Sequence, residues 1–176
     1  MNSTWTSTLQ RAEIAVLASI RRGLGETPAV PVAQALSAFG EHARGWLALG
    51  AIGWATGRHR REWLTGAAGV ALAHGSAVGL KRAVRRVRPD LAHVPPLGPV
   101  HSLLSFPSAH ATSTAAAVVG YGPVLGRPVL VGALGAMAVS RVLLGVHWPS
   151  DVVAGALLGG GVAAGVRRAA TAGGPS

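Results

Sequence analysis

Five stretches of the 176-residue chain run almost without charge. Arg44 and Arg58 enclose GWLALGAIGWATG, and Glu62 and Lys81 enclose WLTGAAGVALAHGSAVGL. SAHATSTAAAVVGYGPVLG follows a Pro-rich loop and ends at Arg127; PVLVGALGAMAVS lies between Arg127 and Arg141, and VVAGALLGGGVAAGV between Asp151 and Arg167. A helix crosses the hydrocarbon core in about 20 residues, so several stretches reach that length only with their flanks. The pattern predicts an all-α integral membrane protein, a bundle of about five transmembrane helices. A soluble helical bundle is disfavoured, because five such stretches leave no polar faces to meet water.

The N-terminus differs. In WTSTLQRAEIAVLASIRR (5–22) the apolar run Ile14–Ile20 is short and follows Arg11 and Glu13. This predicts an amphipathic helix lying at the membrane surface. Without a basic segment ahead of the apolar run or a clear cleavage site, it does not read as a signal peptide. GETPAVP (25–31) reads as a break and RRAATAGGPS (167–176) as a polar, disordered end. The expected organisation is an interfacial segment 1–27, a membrane-embedded domain 28–168 and a tail 169–176. Trp46, Trp54, Trp63 and Trp148 lie near span ends, where indole rings anchor in the headgroup layer. His74 sits mid-span and is expected to hydrogen-bond a neighbouring helix.

Composition sharpens this picture. Charged residues make up 12% of the chain, half the share of an ordinary soluble domain at about 25%. The absence of cysteine excludes a disulfide framework, a thiol nucleophile and cysteine-ligated metal sites. The net charge is +10, carried by fifteen arginines and one lysine. On a soluble protein that balance suggests nucleic acid; on a membrane protein it suggests anionic headgroups and phosphate. The spans decide for the second. The expected partners are a bilayer with anionic headgroups and a lipid phosphate, and no nucleic acid; a homo-oligomer is left open.

The remaining polar residues fall into three clusters: Lys81 to Pro89 (KRAVRRVRP), Phe106 to His110 (FPSAH), and Ser140 to Asp151 (SRVLLGVHWPSD). If the second span ends at Lys81 on one side of the membrane, the third starts there at Ser108. The fourth returns there at Arg141, and the fifth leaves from it after His147 and Asp151. Span counting therefore puts all three clusters on one face. Lys81, Arg88 and Arg141 can neutralise a phosphate dianion, the arginines with paired hydrogen bonds. Ser108 and the amides after Pro107 open a helix, which is an anion site. His147 and Asp151 are four apart, so the carboxylate can orient the imidazole as a nucleophile. His110 is available as the acid. A nucleophile with a separate proton donor suits displacement at phosphorus.

Lys-x6-Arg-Pro, Pro-Ser-x-His and Ser-Arg-x5-His-x3-Asp, in this order, resemble the signature of the type 2 phosphatidic acid phosphatases, or lipid phosphate phosphatases. The resemblance covers about Glu62 to Val166. It implies a helical membrane core and a metal-independent phosphatase that needs no cofactor and forms a phosphohistidine intermediate. By position, it implies His147 as nucleophile, Asp151 as its orienter, His110 as the acid on the leaving oxygen, and Lys81, Arg88, Ser108, Ala109 and Arg141 around the phosphate. Ala109 departs from the family's usual glycine, and the family's usual six spans are here reduced by one. GEHARGWLALGAIG, FPSAHATSTAAA and SRVLLGVHWPSDVVAGALLG are most similar to an actinobacterial subgroup that removes the 5-phosphate of decaprenylphosphoryl-5-phosphoribose on the way to arabinan donors. Undecaprenyl or decaprenyl pyrophosphate and phosphatidylglycerol phosphate are the alternative substrates.

Other readings are weaker. Arg82, Arg85 and Arg86 read as a headgroup-facing surface without a catalytic role. His93 and His101 read as exposed loop histidines. Glu41 and His42 enter the first span from the motif side and are candidate substrate-binding residues. A metal at His110, His147 and Asp151 is disfavoured by the surrounding cations. A non-catalytic membrane scaffold would have lost a catalytic residue, and none is lost. A vanadium haloperoxidase shares the motifs but is larger and soluble. The expected location is the plasma membrane, crossed several times. Outside the three proposed phosphate-binding cations, seven arginines on the motif side against six opposite leave sidedness undecided.

Overall fold

The computed structural model describes residues 3–89, 95–100 and 102–172, with side chains from residue 8 onward. His93 and His101 lie outside the described residues. The described chain is helical, with α1 (Ser3–Leu24), α2 (Ala29–Gly40), α3 (Arg44–Ala55), α4 (Arg60–Val84), α5 (Ala109–Leu125), α6 (Arg127–Leu143) and α7 (Pro149–Ala172). A 3₁₀ turn, Glu41–Ala43, joins α2 to α3. Extended pairing is confined to an isolated bridge between Val87 and Leu104.

The break expected over 25–31 is narrower. Thr27 makes the corner, its hydroxyl donating to the Leu24 carbonyl at 2.8 Å and accepting from the Ala29 amide at 3.2 Å. Pro31 falls in the first turn of α2, where its missing N–H would have had no helical partner. The expected tail is also shorter, because α7 continues through RRAATA to Ala172.

Small and polar residues share the interior with an apolar cluster that includes Trp46, Trp63, Val70, Tyr121 and Leu130, and the outer surface is apolar as well. α5 is central, burying Ala111–Ala117 and Gly120–Gly122 on all sides apart from its ends. Outward stand Leu64, Leu72, Val129, Val153 and Leu157, each more than half exposed. That apolar exterior is what a lipid surround requires. By length and composition α4 and α7 are long and apolar enough to cross a membrane.

Three tryptophans expected at the headgroup layer are in the core. Trp46, Trp63 and Trp148 are 6–7% exposed, against 42% for Trp54. Buried indoles need an acceptor, and two find one within the fold: Trp46 Nε1 donates to Thr114 Oγ1 and Trp148 Nε1 to the Val87 carbonyl, both at 3.0 Å. Tyr121 packs on Trp63 with ring centroids 5.2 Å apart and donates its hydroxyl to the Trp46 carbonyl.

α5 and α7 meet backbone to backbone. A Cβ at Gly155 would lie 2.6 Å from the Ser108 carbonyl oxygen, and one at Gly159 would overlap the Thr112 carbonyl. Glycine is the residue that permits this approach. We expect Gly159→Ala to lower the thermal midpoint in detergent, by the equivalent of about 1–3 kcal/mol for overpacking. Gly160→Ala and Gly161→Ala, which open onto free space, should leave it unchanged or raise it. Equal midpoints for all three variants would show that the contact does not set stability.

Candidate active site

A cavity of about 330 Å³ opens at the end of the bundle where α4 and α6 finish and α5 and α7 begin. Lys81, Arg88, Ala109, His110, Arg141 and His147 line it, together with Glu41 and His42. Ser108 and Asp151 are fully buried behind its wall.

Local structure explains each placement. α4 ends because Arg85 adopts a left-handed conformation (φ 54°). The following segment pairs with 103–105, Ser105 N donating to the Arg86 carbonyl at 2.7 Å and Arg88 N to the Leu103 carbonyl at 3.1 Å. Arg88 is then fixed through Nε to the Ser102 carbonyl at 2.6 Å and through Nη1 to the Val146 carbonyl. Ser108 caps α5, its Oγ accepting from the Ala111 amide at 3.5 Å. Its hydroxyl is thus committed to the helix end, and Ala109 and His110 form the cavity wall. Ala109 starts a regular helix and has no positive φ, so the methyl group in place of the usual hydrogen requires no strained backbone.

His147 lies in the loop between α6 and α7 and is 2% exposed. Arg88 Nη1 stands 3.3 Å from its Nε2. A guanidinium only donates, so Nε2 carries the lone pair and the proton belongs on Nδ1, which faces Asp151 Oδ2 at 3.5 Å and has no other partner. Asp151 is held from three directions. Oδ2 accepts from the Trp148 amide at 2.9 Å, Oδ1 accepts from Arg86 Nη1 at 2.8 Å, and its carbonyl accepts from the Ser108 amide at 3.0 Å. Burial pushes the His147 imidazole down to about 4, with Arg88 and Lys81 adding to the shift and Asp151 opposing it. The ring is neutral at neutral pH, and its Nε2 lone pair points toward the cations.

His110 and Arg141 are both tied to Ser37 of α2. His110 Nε2 donates to the Ser37 carbonyl at 3.0 Å, and Arg141 Nη1 donates to Ser37 Oγ at 3.0 Å. Among the described residues no hydrogen bond reaches His110 Nδ1. Lys81 makes no hydrogen bond or ion pair to the described residues, so its ammonium is free to meet an anion. Glu41 Oε2 stands 3.8 Å from His110 Nε2, and Oε1 lies 3.2 Å from His42 Nδ1.

Sequence reasoning passed over three residues. Ser37 belongs to no motif, and its role comes from the α2–α6 packing. His74 has no hydrogen-bond partner on its buried Nδ1, contrary to the expected interhelical bond; it lines the cavity with its ring 6.3 Å from that of His42. Arg86 is not a headgroup-facing charge. It bonds to Asp151 and to Glu13, 73 residues away. Arg82, in the same cluster, also reaches the cavity wall.

Comparison with known proteins shows the family. A family model described as the PAP2 superfamily matches residues 63–173. The chain is 48% identical over 156 residues to the decaprenylphosphoryl-5-phosphoribose phosphatase of Mycobacterium tuberculosis, covering 88% of each chain. It is also 48% identical over 147 residues to the enzyme of that name in Mycolicibacterium smegmatis, covering 82% of each. Lipid A 1-phosphatase of Rhizobium etli is 34% identical over 89 residues, 46% of this chain and 38% of that one. The fold is similar to the crystal structure of the first transmembrane PAP2 type phosphatidylglycerolphosphate phosphatase from Bacillus subtilis, with a TM-score of 0.76 and 23% identity over 95% of this chain and 88% of that one.

The depressed His147 has a measurable consequence. An unfolded histidine titrates near 6.5, so as pH falls from 6.5 towards 4 the unfolded chain binds a proton that the folded chain does not. The folded state should lose up to about 3 kcal/mol over that window and retain its full stability above it. The thermal midpoint of the wild type should therefore fall more steeply between pH 7 and 4.5 than that of His147→Asn. Parallel profiles would show that His147 titrates normally.

Proposed function

The chain belongs to the PAP2 superfamily and is a phosphatase; from that premise we propose that it hydrolyses the terminal phosphomonoester of a polyprenyl-linked phosphoribose. The substrate we assign is decaprenylphosphoryl-5-phosphoribose, and the products are decaprenylphosphoryl ribose, a precursor for cell-wall arabinan, and inorganic phosphate. The observation that carries the chemistry is the opposition of two differently held imidazoles across one cation-lined cavity. The substrate reading rests on the 48% identity over most of both chains.

In this reading Lys81, Arg88 and Arg141, with the Ala109 and His110 amides at the start of α5, hold the phosphoryl oxygens. Ser108 supports that helix end by capping it. His147 Nε2 attacks phosphorus while its Nδ1 proton is held toward Asp151. The bond to the ribose oxygen breaks as His110, entering the step as the imidazolium with Nε2–H on the Ser37 carbonyl, delivers its Nδ1 proton to that oxygen. Water then attacks the phosphohistidine, His110 accepts its proton, and phosphate leaves with His147 restored. Most of the barrier reduction comes from fixed positive charge around the phosphoryl group. Glu41 and His42 face the leaving group. A carboxylate beside a phosphate dianion is repelled unless hydroxyl donors reach it, and the ribose ring supplies such donors.

We place α4, α5, α6 and α7 across the plasma membrane, with α3 and its flanks as the fifth crossing and α1 at the interface. α5 and α6 have 17 residues each, about 26 Å at 1.5 Å per residue.

The deciding assay is hydrolysis by the purified protein of a short-chain polyprenylphosphoryl-5-phosphoribose, a polyprenyl pyrophosphate and phosphatidylglycerol phosphate, each with and without excess EDTA. The phosphoribose should be hydrolysed fastest and EDTA should have no effect. Faster turnover of either other lipid overturns the substrate, and loss in EDTA reversed by a divalent cation overturns the mechanism.

The two histidines separate by leaving group. General acid catalysis contributes about 10²–10⁴-fold. His110→Ala should lose that factor on a ribosyl phosphate and recover much of it on a nitrophenyl phosphate, whose leaving group needs no proton. His147→Ala should be inactive on both. The reverse pattern would exchange the two roles.

A further inference from the structure

Asp151 does not orient His147 unaided. Its second oxygen, Oδ1, accepts from Arg86 Nη1 at 2.8 Å, and the same guanidinium donates through Nη2 to Glu13 Oε2 at 2.6 Å. Glu13 stands on α1, far from every motif, yet it is 4% exposed. Its other oxygen, Oε1, accepts from the Ser150 amide at 3.0 Å and from Ser150 Oγ at 2.6 Å. Arg86 Nη1 also donates to Ser150 Oγ at 2.6 Å, and the guanidinium carbon lies 5.3 Å from the centre of the Trp148 ring. Two buried carboxylates thus share one arginine, which is wedged between a tryptophan and a serine. A carboxylate so far from water is held ionised only by such a partner. Glu13 in addition places negative charge at the N-terminus of α7, where the helix leaves amides without partners.

We propose that Arg86 and Glu13 are positioning residues for the phosphatase reaction, Arg86 clamping Asp151 so that Oδ2 faces His147 Nδ1, and Glu13 of the N-terminal helix holding Arg86 and the first turn of α7 in that register. Without Arg86, Oδ1 loses its partner and the Asp151 carboxylate keeps only the Trp148 amide on Oδ2, about which it can pivot; a displacement of about 1 Å in a catalytic group costs on the order of 100-fold in rate. The N-terminal helix is on this account part of the catalytic apparatus. The inference rests on His147 and Asp151 being the working pair.

The test is a double-mutant cycle on the full-length protein, assayed with a polyprenyl-linked phosphoribose. Arg86→Met should lower kcat about 100-fold and Glu13→Gln about 10-fold, with KM changed less than about twofold. Arg11→Gln, an exposed change on the same helix, should be neutral. In an Asp151→Ala background both losses should vanish, since the group they position is gone. Losses that multiply in that background, losses in KM with kcat unchanged, or no loss at all overturn the positioning role. If Arg86→Met does not fold, the near-isosteric Glu13→Gln carries the cycle alone. An Asp151→Ala enzyme as active as wild type would end the working-pair assignment and this role together. A crippled Asp151→Ala enzyme with multiplying losses would end this role only.

Discussion

The close approach of α5 and α7 is the constraint on which the rest of the molecule depends. With Gly155 against the Ser108 carbonyl and Gly159 against that of Thr112, the two helices run backbone to backbone and the start of α5 lies level with the first two turns of α7. One hydrogen bond records that register, from the Ser108 amide to the Asp151 carbonyl. It brings the anion-binding start of α5 beside the Asp151–His147 pair at the start of α7. Side chains of ordinary size at the two glycines would separate the helices, and the Asp151–His147 pair from the start of α5, by a few ångströms.

The second constraint is electrostatic. Four of the cationic side chains gathered at the cavity end of the bundle are held in different ways. Arg86 is bound to two carboxylates, so its charge is answered within the protein. Arg88 and Arg141 are fixed mainly by neutral oxygens, Arg88 by the Ser102 and Val146 carbonyls and Arg141 by Ser140 and Ser37. Those bonds orient a guanidinium without cancelling its charge. Lys81 makes no hydrogen bond or ion pair to the described residues. The cavity is therefore lined by positive charge that neutral partners orient without cancelling, held partly out of water, where its attraction for an anion is stronger than in bulk solvent.

Which features were legible in the sequence follows from the range of the interactions behind them. The His147–Asp151 spacing and the Ser108 helix start are local relations, and the shared face of the three motifs follows from counting spans. Arg86 was misread because the cluster KRAVRR has the appearance of an interfacial basic patch, and its partner Glu13 lies in a segment that reads as surface-bound. The tryptophans were misplaced for a related reason. Position near a span end is visible in sequence, but the acceptors on Thr114 and Val87 that permit indole burial are not. Ser37 and His74 gave no signal, since a lone serine or histidine in an apolar helix acquires meaning only from what packs opposite. Helix α2 was hidden by Pro31, whose position in a first turn is indistinguishable by pattern from a break.

The corner between α2 and α3 shows how the fold directs polar groups into an apolar bundle. His42 and Ala43 both have positive φ, 51° and 59°, a conformation that disfavours residues with a Cβ by about 1–3 kcal/mol each. Neither is glycine, so the surroundings must hold them. Ala43 is fully buried, Phe39 packs edge-on against Trp46 at 5.0 Å across the corner, and Arg44 Nε donates to the Glu41 carbonyl at 3.1 Å. A straight helix through this point would have carried Glu41 and His42 along its own axis. The left-handed step instead ends α2 just after Ser37 and turns Glu41 and His42 to the cavity. Ser37 can then tie His110 to Arg141, while the Glu41 carboxylate stands 3.8 Å from the same His110 nitrogen. A negative group so near an anion site opposes phosphate binding by itself. On the reading proposed above, the hydroxyl donors of a sugar offset that opposition, so the strained turn would serve the alcohol that leaves and not the phosphoryl group.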